Sequence, residues 1–420
     1  MDGTGSAAAE AKSPFTVMIK PVGSLCNMSC SYCYYKDKDS GNKDRVMPLY
    51  ILEELTKQYI GVCGSREVSF VWHGGEPTLA GMDFYKQAVD LQKKYQKDGW
   101  NCWNNLQTNG LLLDDGWCRF LSENKFSVGV SIDGVEAVHN KNRSGINGED
   151  TYLRVAEGIE RLKSYGIKPD LLCTVNRDSV KYPLQVYRGL KSFNTGWIQF
   201  IPIVNIKNGT ECNNSVSAYE FGKFLSDVFD EWVVNDLDRV NIQFFAEVLR
   251  VSSGGSAGVC FMAPECGRSL VVDKDGTVYS CDHFVDSEHL LGNILNEPLL
   301  TISEKEKQRE FGEIKHKDLN SDCLSCRWLR FCNGGCPKDR VIKSKQNEVF
   351  LCEGYASFFA YTEPVIKIIT ALRSKQKSLS EIKETIRSEL HTIWKGTGRN
   401  DPCPCGSGKK AKNCCWYKRI

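Results

Sequence analysis

Over roughly the first two hundred residues, short apolar runs rich in β-branched side chains alternate with longer stretches whose apolar positions recur every three to four residues. The runs 15–22, 68–73, 103–107, 127–132, 170–175 and 197–204 predict strands, and 49–61, 84–95, 114–124, 151–165, 182–193 and 218–234 predict helices. Strand–helix alternation of this kind makes a parallel sheet covered by helices. Six such units fall short of the eight that close a barrel, so the pattern predicts an α/β fold with a partial (β/α)6 barrel. Its ligand face would lie at the C-terminal ends of the strands.

After about residue 245 the pattern changes to Gly/Ser punctuation, short strands near 269–273 and 277–280, and dense cysteine. This predicts a second region, 246–362, organised by something other than an apolar core. The barrel then spans 15–245, a charged helical connector 363–395, and a compact cysteine module 396–420. The charge run at 304–310 reads as the solvated face of a helix. Residues 1–14, MDGTGSAAAEAKSP, lack a basic start and an apolar stretch of signal-peptide length, and read as a flexible tail.

Composition adds one unusual fact. The 420 residues carry 54 Lys plus Arg against 52 Asp plus Glu, a formal net charge of +2, so nothing courts a polyanion and no nucleic-acid partner is expected. No run reaches the roughly 18 apolar residues of a membrane span, so a cytoplasmic setting without a membrane partner is expected. The chain holds 20 cysteines, more than one of this length needs as disulfide staples. In a reducing compartment, clustered cysteines point to metal ligation.

Cys26, Cys30 and Cys33 are spaced C-x3-C-x2-C in the loop after the first predicted strand. Three thiolates can hold three corners of a [4Fe–4S] cluster and leave the fourth iron open for a ligand. A structural zinc site would want a fourth ligand close by, and none is obvious. The string from Cys26 to Cys33, with Tyr32 inside it, followed by Gly74-Gly75-Glu76-Pro77 at the end of the second strand, resembles the radical S-adenosylmethionine (SAM) superfamily. That resemblance implies that the open iron chelates SAM, that one electron cleaves it to a 5′-deoxyadenosyl radical, and that the backbone of Gly74, Gly75 and Glu76 contacts the SAM amino group. It also assigns polar SAM contacts to Ser131, Asp133 and Arg143, and adenine packing to Val204. An ordinary strand-end hydroxyl at Ser131 and a core valine at Val204 are the plain alternatives.

Cys260, Cys266 and Cys281, with Gly276 between the last two, then Cys323-x2-Cys326-x5-Cys332-x3-Cys336 and Cys352, provide eight thiols, the count for two fully ligated [4Fe–4S] clusters beside the first, three in all. The pattern resembles the SPASM extension of radical SAM enzymes that modify peptides and proteins. By that resemblance Cys260, Cys266, Cys281 and Cys336 bind one auxiliary cluster, and Cys323, Cys326, Cys332 and Cys352 the other. Two zinc ribbons are the bland alternative.

Tyr279-Ser-Cys281-Asp282-His283-Phe284, Leu106-Gln-Thr-Asn-Gly110 and Gly129-Val-Ser-Ile-Asp-Gly134 resemble the anaerobic sulfatase-maturating enzymes, and the resemblance runs from about Phe15 to Tyr361. It implies oxidation of one cysteine or serine of a sulfatase polypeptide to Cα-formylglycine. A low-potential flavodoxin or ferredoxin would supply the electron. Asp282 is the candidate base for the thiol or hydroxyl proton; a backbone-bonding aspartate is its plain alternative, and His283 is a rival base. Tyr35, His73 and Gln107 fall where the family's substrate peptide would lie. A maturase that crosslinks another ribosomally made peptide, and a non-catalytic iron–sulfur and zinc scaffold, are the other readings.

The last residues, with Cys403-x-Cys405-x8-Cys414-Cys415, match the SEC-C zinc motif in spacing and in the GSGKK interior. Four thiolates suit tetrahedral Zn2+. Cys63, Cys102, Cys118, Cys173 and Cys212 remain, and are most simply small buried hydrophobes.

Overall fold

The computed structural model describes residues 11, 14–36, 38, 45–207, 210–211, 214–343, 346–395, 397–402 and 410–411. The chain forms two compact units, Met1–Cys173 with Pro264–Leu319, and Thr174–Ala263 with Asn320–Ile420. No helix among the described residues is long and apolar enough to cross a membrane.

In the first unit β1 (Thr16–Lys20), β2 (Glu67–Trp72), β3 (Asn101–Thr108), β4 (Ser127–Ser131) and β5 (Asp170–Val175) lie side by side in parallel. The crossovers carry α1 (Leu49–Val62), α2 (Met82–Tyr95), α3 (Asp115–Glu123), α4 (Glu136–Asn142) and α5 (Tyr152–Ser164). Alternate strand residues such as Val68, Phe70 and Trp72 are fully buried, as a parallel sheet under helices requires. Trp72, Tyr85 and Trp117 pack edge to face, with centroids 5.3 and 5.5 Å apart, and pin α2 and α3 to the sheet. Asp114 caps α3 by accepting from the Trp117 N–H at 2.8 Å. Helix α4 is an element the periodicity did not predict, because seven residues are too few to show a period.

The other edge of β1 is covered by a strand from the cysteine-rich region. Ser269–Asp273 pairs with it in parallel, from Thr16↔Ser269 to Lys20↔Asp273, and Thr277–Tyr279 and Leu290–Asn293 continue the sheet antiparallel. Of the region expected from 246 to 362, residues 264–319 thus belong to the first compact unit and the rest to the second. An exposed strand edge is a liability that apolar SLVVD removes. Residues 306–310 of the charge run open the helix Glu306–Lys317, which faces solvent with most of its charges but buries Gln308, Phe311 and Lys315.

In the second unit β6 (Trp197–Pro202) pairs in parallel with Asn241–Ile242, beside α6 (Pro183–Lys191), α7 (Ala218–Asn235) and α8 (Gln243–Ser252). The stretch expected as a charged connector is helical: Cys352–Ser374 runs along α7, and Leu379–Lys395 follows, tied by Lys383 to Asp238 at 2.7 Å. Phe245 and Phe358 stack at 5.5 Å between α8 and the long helix. Gly222 and Gly354 let that helix touch α7 backbone to backbone, since a Cβ on Gly354 would collide with the Ala218 carbonyl oxygen.

Gly354→Ala should therefore force the two helices apart. The expected loss is about 1–3 kcal/mol of stability, as for other overpacked contacts. Urea unfolding measures it, and a midpoint equal to wild type would show that the contact is not tight.

Candidate active site

The loop after β1 and the loop after β2 are held together by their backbones. His73 donates its N–H to the Ile19 carbonyl at 2.9 Å, Gly75 to Gly23 at 2.8 Å and Glu76 to Leu25 at 2.8 Å. This approach needs two glycines. Gly74 has φ +130°, and a Cβ there would lie 2.8 Å from the Gly23 oxygen, while one on Gly75 would overlap the Leu25 carbonyl. The turn fixes the start of the segment that carries Cys26, Cys30 and Cys33.

Cys26 and Cys30 are half-buried and Cys33 is exposed. Burial pushes the Cys26 thiol up to about 11, with Glu76, Cys30 and Cys33 adding to it and the Met28 N–H opposing. Cys30 is raised too, first by burial, with Arg143 opposing. Such thiols become thiolates only against a strong cation, and the donor set suits one. The Cys26 sulfur accepts from Met28 N–H at 3.4 Å and from Asn109 Nδ2 at 3.7 Å, contacts that stabilise an anionic sulfur. Three thiols on one short loop are the donor set that an iron–sulfur cluster takes.

Glu76 turns its carboxylate inward. It accepts from Thr78 N at 3.0 Å and Oγ1 at 2.6 Å, from Thr108 Oγ1 at 2.8 Å and from Asn109 N at 2.7 Å, which ties the end of β3 to the double-glycine turn. Burial pushes its carboxyl up, and these hydrogen bonds oppose the push. At the end of β4, Gln107 donates to Ser131 Oγ at 3.1 Å across the β3–β4 pair. Asp133 accepts from the Tyr32 hydroxyl and from Arg143 Nε at 3.1 Å, and all three are buried. Burial, opposed by Arg143 and aided by Asp133, holds the Tyr32 phenol well above its ordinary value. His139 steadies this corner from behind: Nδ1 accepts from the Asp133 N–H at 3.2 Å, and Nε2 meets Thr151 Oγ1 at 3.0 Å.

Asp282 is brought to the end of β1 by the strand pairing described above. It forms an ion pair with Lys20, whose side chain is fully buried, and accepts from the Tyr34 hydroxyl through its other oxygen. Burial would raise its carboxyl, but Lys20, then His73 and His283, hold it well below the usual carboxylate range. The same ammonium lies 3.0 Å from His73 Nδ1 and 4.5 Å from the centroid of the Tyr35 ring. Tyr35 is buried, and its hydroxyl has no hydrogen-bond partner among the described residues. So Asp282, His73 and Tyr35 gather around one lysine, whereas Gln107 stands with Ser131. Burial and Lys20 bring the His73 imidazole down to about 4, so the ring is neutral. Lys20, Tyr34, Asn109 and His139 were missed from the sequence. A lysine inside an apolar strand was the one available signal, because a buried lysine needs a partner.

Cys266 and Cys281 lie in the first unit, and Cys260 and Cys336 in the second. Cys323, Cys326, Cys332 and Cys352 all belong to the second unit, where burial, and then Cys332 and Cys323, push the Cys352 thiol up to about 11. Val204 is buried there. Cys63, Cys118 and Cys173 are buried, Cys102 is half-buried, and Cys212 lies outside the described residues. So do Cys403, Cys405, Cys414 and Cys415, although Pro402 and Lys410 bridge and Ala411 N donates to Asp401 O at 2.8 Å.

Residues 21–180 match the radical SAM superfamily, 250–327 an iron–sulfur cluster-binding domain of the SPASM type, and 399–416 the SEC-C motif. The chain is 37% identical over 396 residues to a serine-type anaerobic sulfatase-maturating enzyme of Bacteroides thetaiotaomicron, covering 89% of this chain and 95% of that one. It is 35% identical over 362 residues to a cysteine-type enzyme of Clostridium perfringens, covering 84% and 97%. The solved structure of native anSMEcpe with bound AdoMet and the Cp18Cys peptide superposes with a TM-score of 0.79 at 34% identity, over 85% of this chain and 99% of that one. Streptococcus suis SuiB bound to its precursor peptide SuiA shares the fold, with a TM-score of 0.58 at 16% identity over 81% and 76%.

Burial, with Arg143 adding to it, brings His139 down to about 4, below the unfolded value of 6.5. The unfolded chain therefore binds the proton more tightly. This contribution is complete above about pH 6.5 and is lost as pH falls toward 4, on the order of 2 kcal/mol by about pH 5. Unfolding free energies of wild type and His139→Gln at about pH 7.5 and pH 5 test it. The gap between the two proteins should shrink in acid, and a constant gap contradicts the assignment.

Proposed function

The chain belongs to the anaerobic sulfatase-maturating enzymes, radical SAM oxidoreductases with an iron–sulfur SPASM extension, and we propose that it oxidises one cysteine or serine of a sulfatase polypeptide to Cα-formylglycine. The observation that carries this reading is the Asp282 carboxylate, kept ionised beside Lys20 in the company of His73 and Tyr35, with 13% of its side chain left exposed for a substrate group. Crosslinking of another peptide has only the fold likeness to SuiB behind it.

Cys26, Cys30 and Cys33 would hold the radical-generating cluster, and the SPASM cysteines the auxiliary clusters. SAM would be held by the backbone of Gly74, Gly75 and Glu76 and by Tyr32, Ser131, Arg143 and Val204. When bound, these groups supply a 5′-deoxyadenosyl radical that removes one Cβ hydrogen, and a sink for the electron left behind. Arg143 is oriented through its Nε by Asp133, so its outer nitrogens suit a ligand carboxylate. Tyr35 and His73 border the substrate side chain, with Gln107 farther along. Asp282 accepts the thiol or hydroxyl proton as the carbon–heteroatom bond gains double-bond character. The SEC-C tail would bind Zn2+ through Cys403, Cys405, Cys414 and Cys415 and dock unfolded polypeptide. The setting would be cytoplasmic, with a low-potential flavodoxin or ferredoxin as donor.

The test is anaerobic. Reduced protein with intact clusters receives SAM and a peptide containing Cys-x-Pro-x-Arg or its serine counterpart. Formylglycine with matching 5′-deoxyadenosine is expected, and Asp282→Asn should keep deoxyadenosine formation while losing formylglycine by about 10²-fold or more. Deoxyadenosine with neither peptide changed would reject sulfatase maturation, and an unimpaired Asp282→Asn would reject the base.

A further inference from the structure

Lys20 is given no role by the proton step above, yet three elements of the site converge on it. Its side chain is fully buried at the C-terminal end of β1. The three N–H bonds of an ammonium are all used: one on Asp282 Oδ1, one on His73 Nδ1 at 3.0 Å and one on the Met18 sulfur at 3.4 Å. Lys20 has no proton direction left to offer a substrate, which excludes it as a catalytic acid. Its effect must pass through its partners.

We propose that Lys20 is the positioning residue of the proton-transfer step, orienting the Asp282 carboxylate as acceptor and the His73 ring as donor with a single buried charge. The tautomer follows from geometry. His73 Nδ1 faces Lys20 Nζ at 3.0 Å and also accepts the Gly74 N–H at 2.8 Å. A nitrogen flanked by two donors carries no proton of its own, so in the neutral ring the proton sits on Nε2, the only other site. On the carboxylate, Lys20 takes one oxygen and Tyr34 the other, which fixes the plane of the group and leaves one lone pair on each oxygen. The substrate group thus meets an acceptor and an N–H donor fixed by the same cation. In the step itself the S–H or O–H bond breaks and an O–H bond forms on Asp282.

This inference rests on the formylglycine reading, and its test separates the two. Lys20→Met, Lys20→Arg, Asp282→Asn and the Lys20→Met/Asp282→Asn double variant are prepared as holoenzyme. The double variant leaves no unpaired buried charge, so it remains informative if Lys20→Met alone fails to fold. The first readout is thermal unfolding, which needs no turnover. Lys20→Met should lower the midpoint in the wild-type background and have little effect beside Asp282→Asn; additive shifts would overturn the proposal. The second is formylglycine formed per 5′-deoxyadenosine with the cysteine or serine peptide. Lys20→Met should lower that ratio by about tenfold or more, Lys20→Arg should restore part of it, and the double variant should match Asp282→Asn. A wild-type ratio in Lys20→Met, or equal loss of both products at full iron content, would overturn it. Wild type that makes deoxyadenosine and no formylglycine would instead overturn the proposed function, while the unfolding cycle still decides whether Lys20 holds Asp282.

Discussion

A charge in the interior must be paired, and the position of Lys20 imposes that rule on the whole first unit. Its side chain ends β1 fully buried, so an acceptor has to be delivered to it. Delivery comes from the far side of the sequence: Ser269–Asp273 pairs along β1 in parallel, and the antiparallel strand Thr277–Tyr279 returns the chain to place Asp282 on the ammonium. The segment 264–319 therefore packs with the first 173 residues. Breaking this pair would leave the buried ammonium with only the neutral partners His73 and Met18, and the carboxylate with only the Tyr34 hydroxyl, which is why the pairing ties the sheet to the site.

A second constraint works through shape. Backbone approach at the end of β2 is possible because Gly74 and Gly75 carry no Cβ, and the hydrogen bonds to Gly23 and Leu25 then hold the loop that leads to Cys26. Glu76 extends the same frame to β3 by accepting from Thr108 and Asn109, and Asn109 reaches back to Cys26. The double glycine and the glutamate thus do structural work as well as whatever ligand contact their backbone makes. Rigid support of this kind is what lets a site keep its geometry through turnover.

The six predicted strands agree with the observed ones to within a few residues, because buried parallel strands are β-branched and apolar while their helices show a clear period. Short elements such as α4 escaped, having too few residues to display one. The cysteine spacings suggested ligand sets by motif, since local spacing is itself the chemical signal. The partners of Asp282 were illegible: Lys20 precedes it by more than 260 residues, and no local pattern encodes a contact at that separation. Tyr34, adjacent to Tyr35, was passed over for the same reason.

From the chain alone came the α/β class, the cysteines expected to hold iron–sulfur clusters, and the resemblance that points to radical oxidation of a peptide. These depend on periodicity and spacing, which are properties of neighbouring residues. The tertiary structure decided which side of β1 the cysteine-rich segment covers, that Asp282 stands as half of an ion pair, that His73 is neutral with its proton on Nε2, and that Tyr35 is buried beside Lys20. Those are matters of burial and of charges meeting across a sheet, and they exist only once strands distant in sequence have been brought into register.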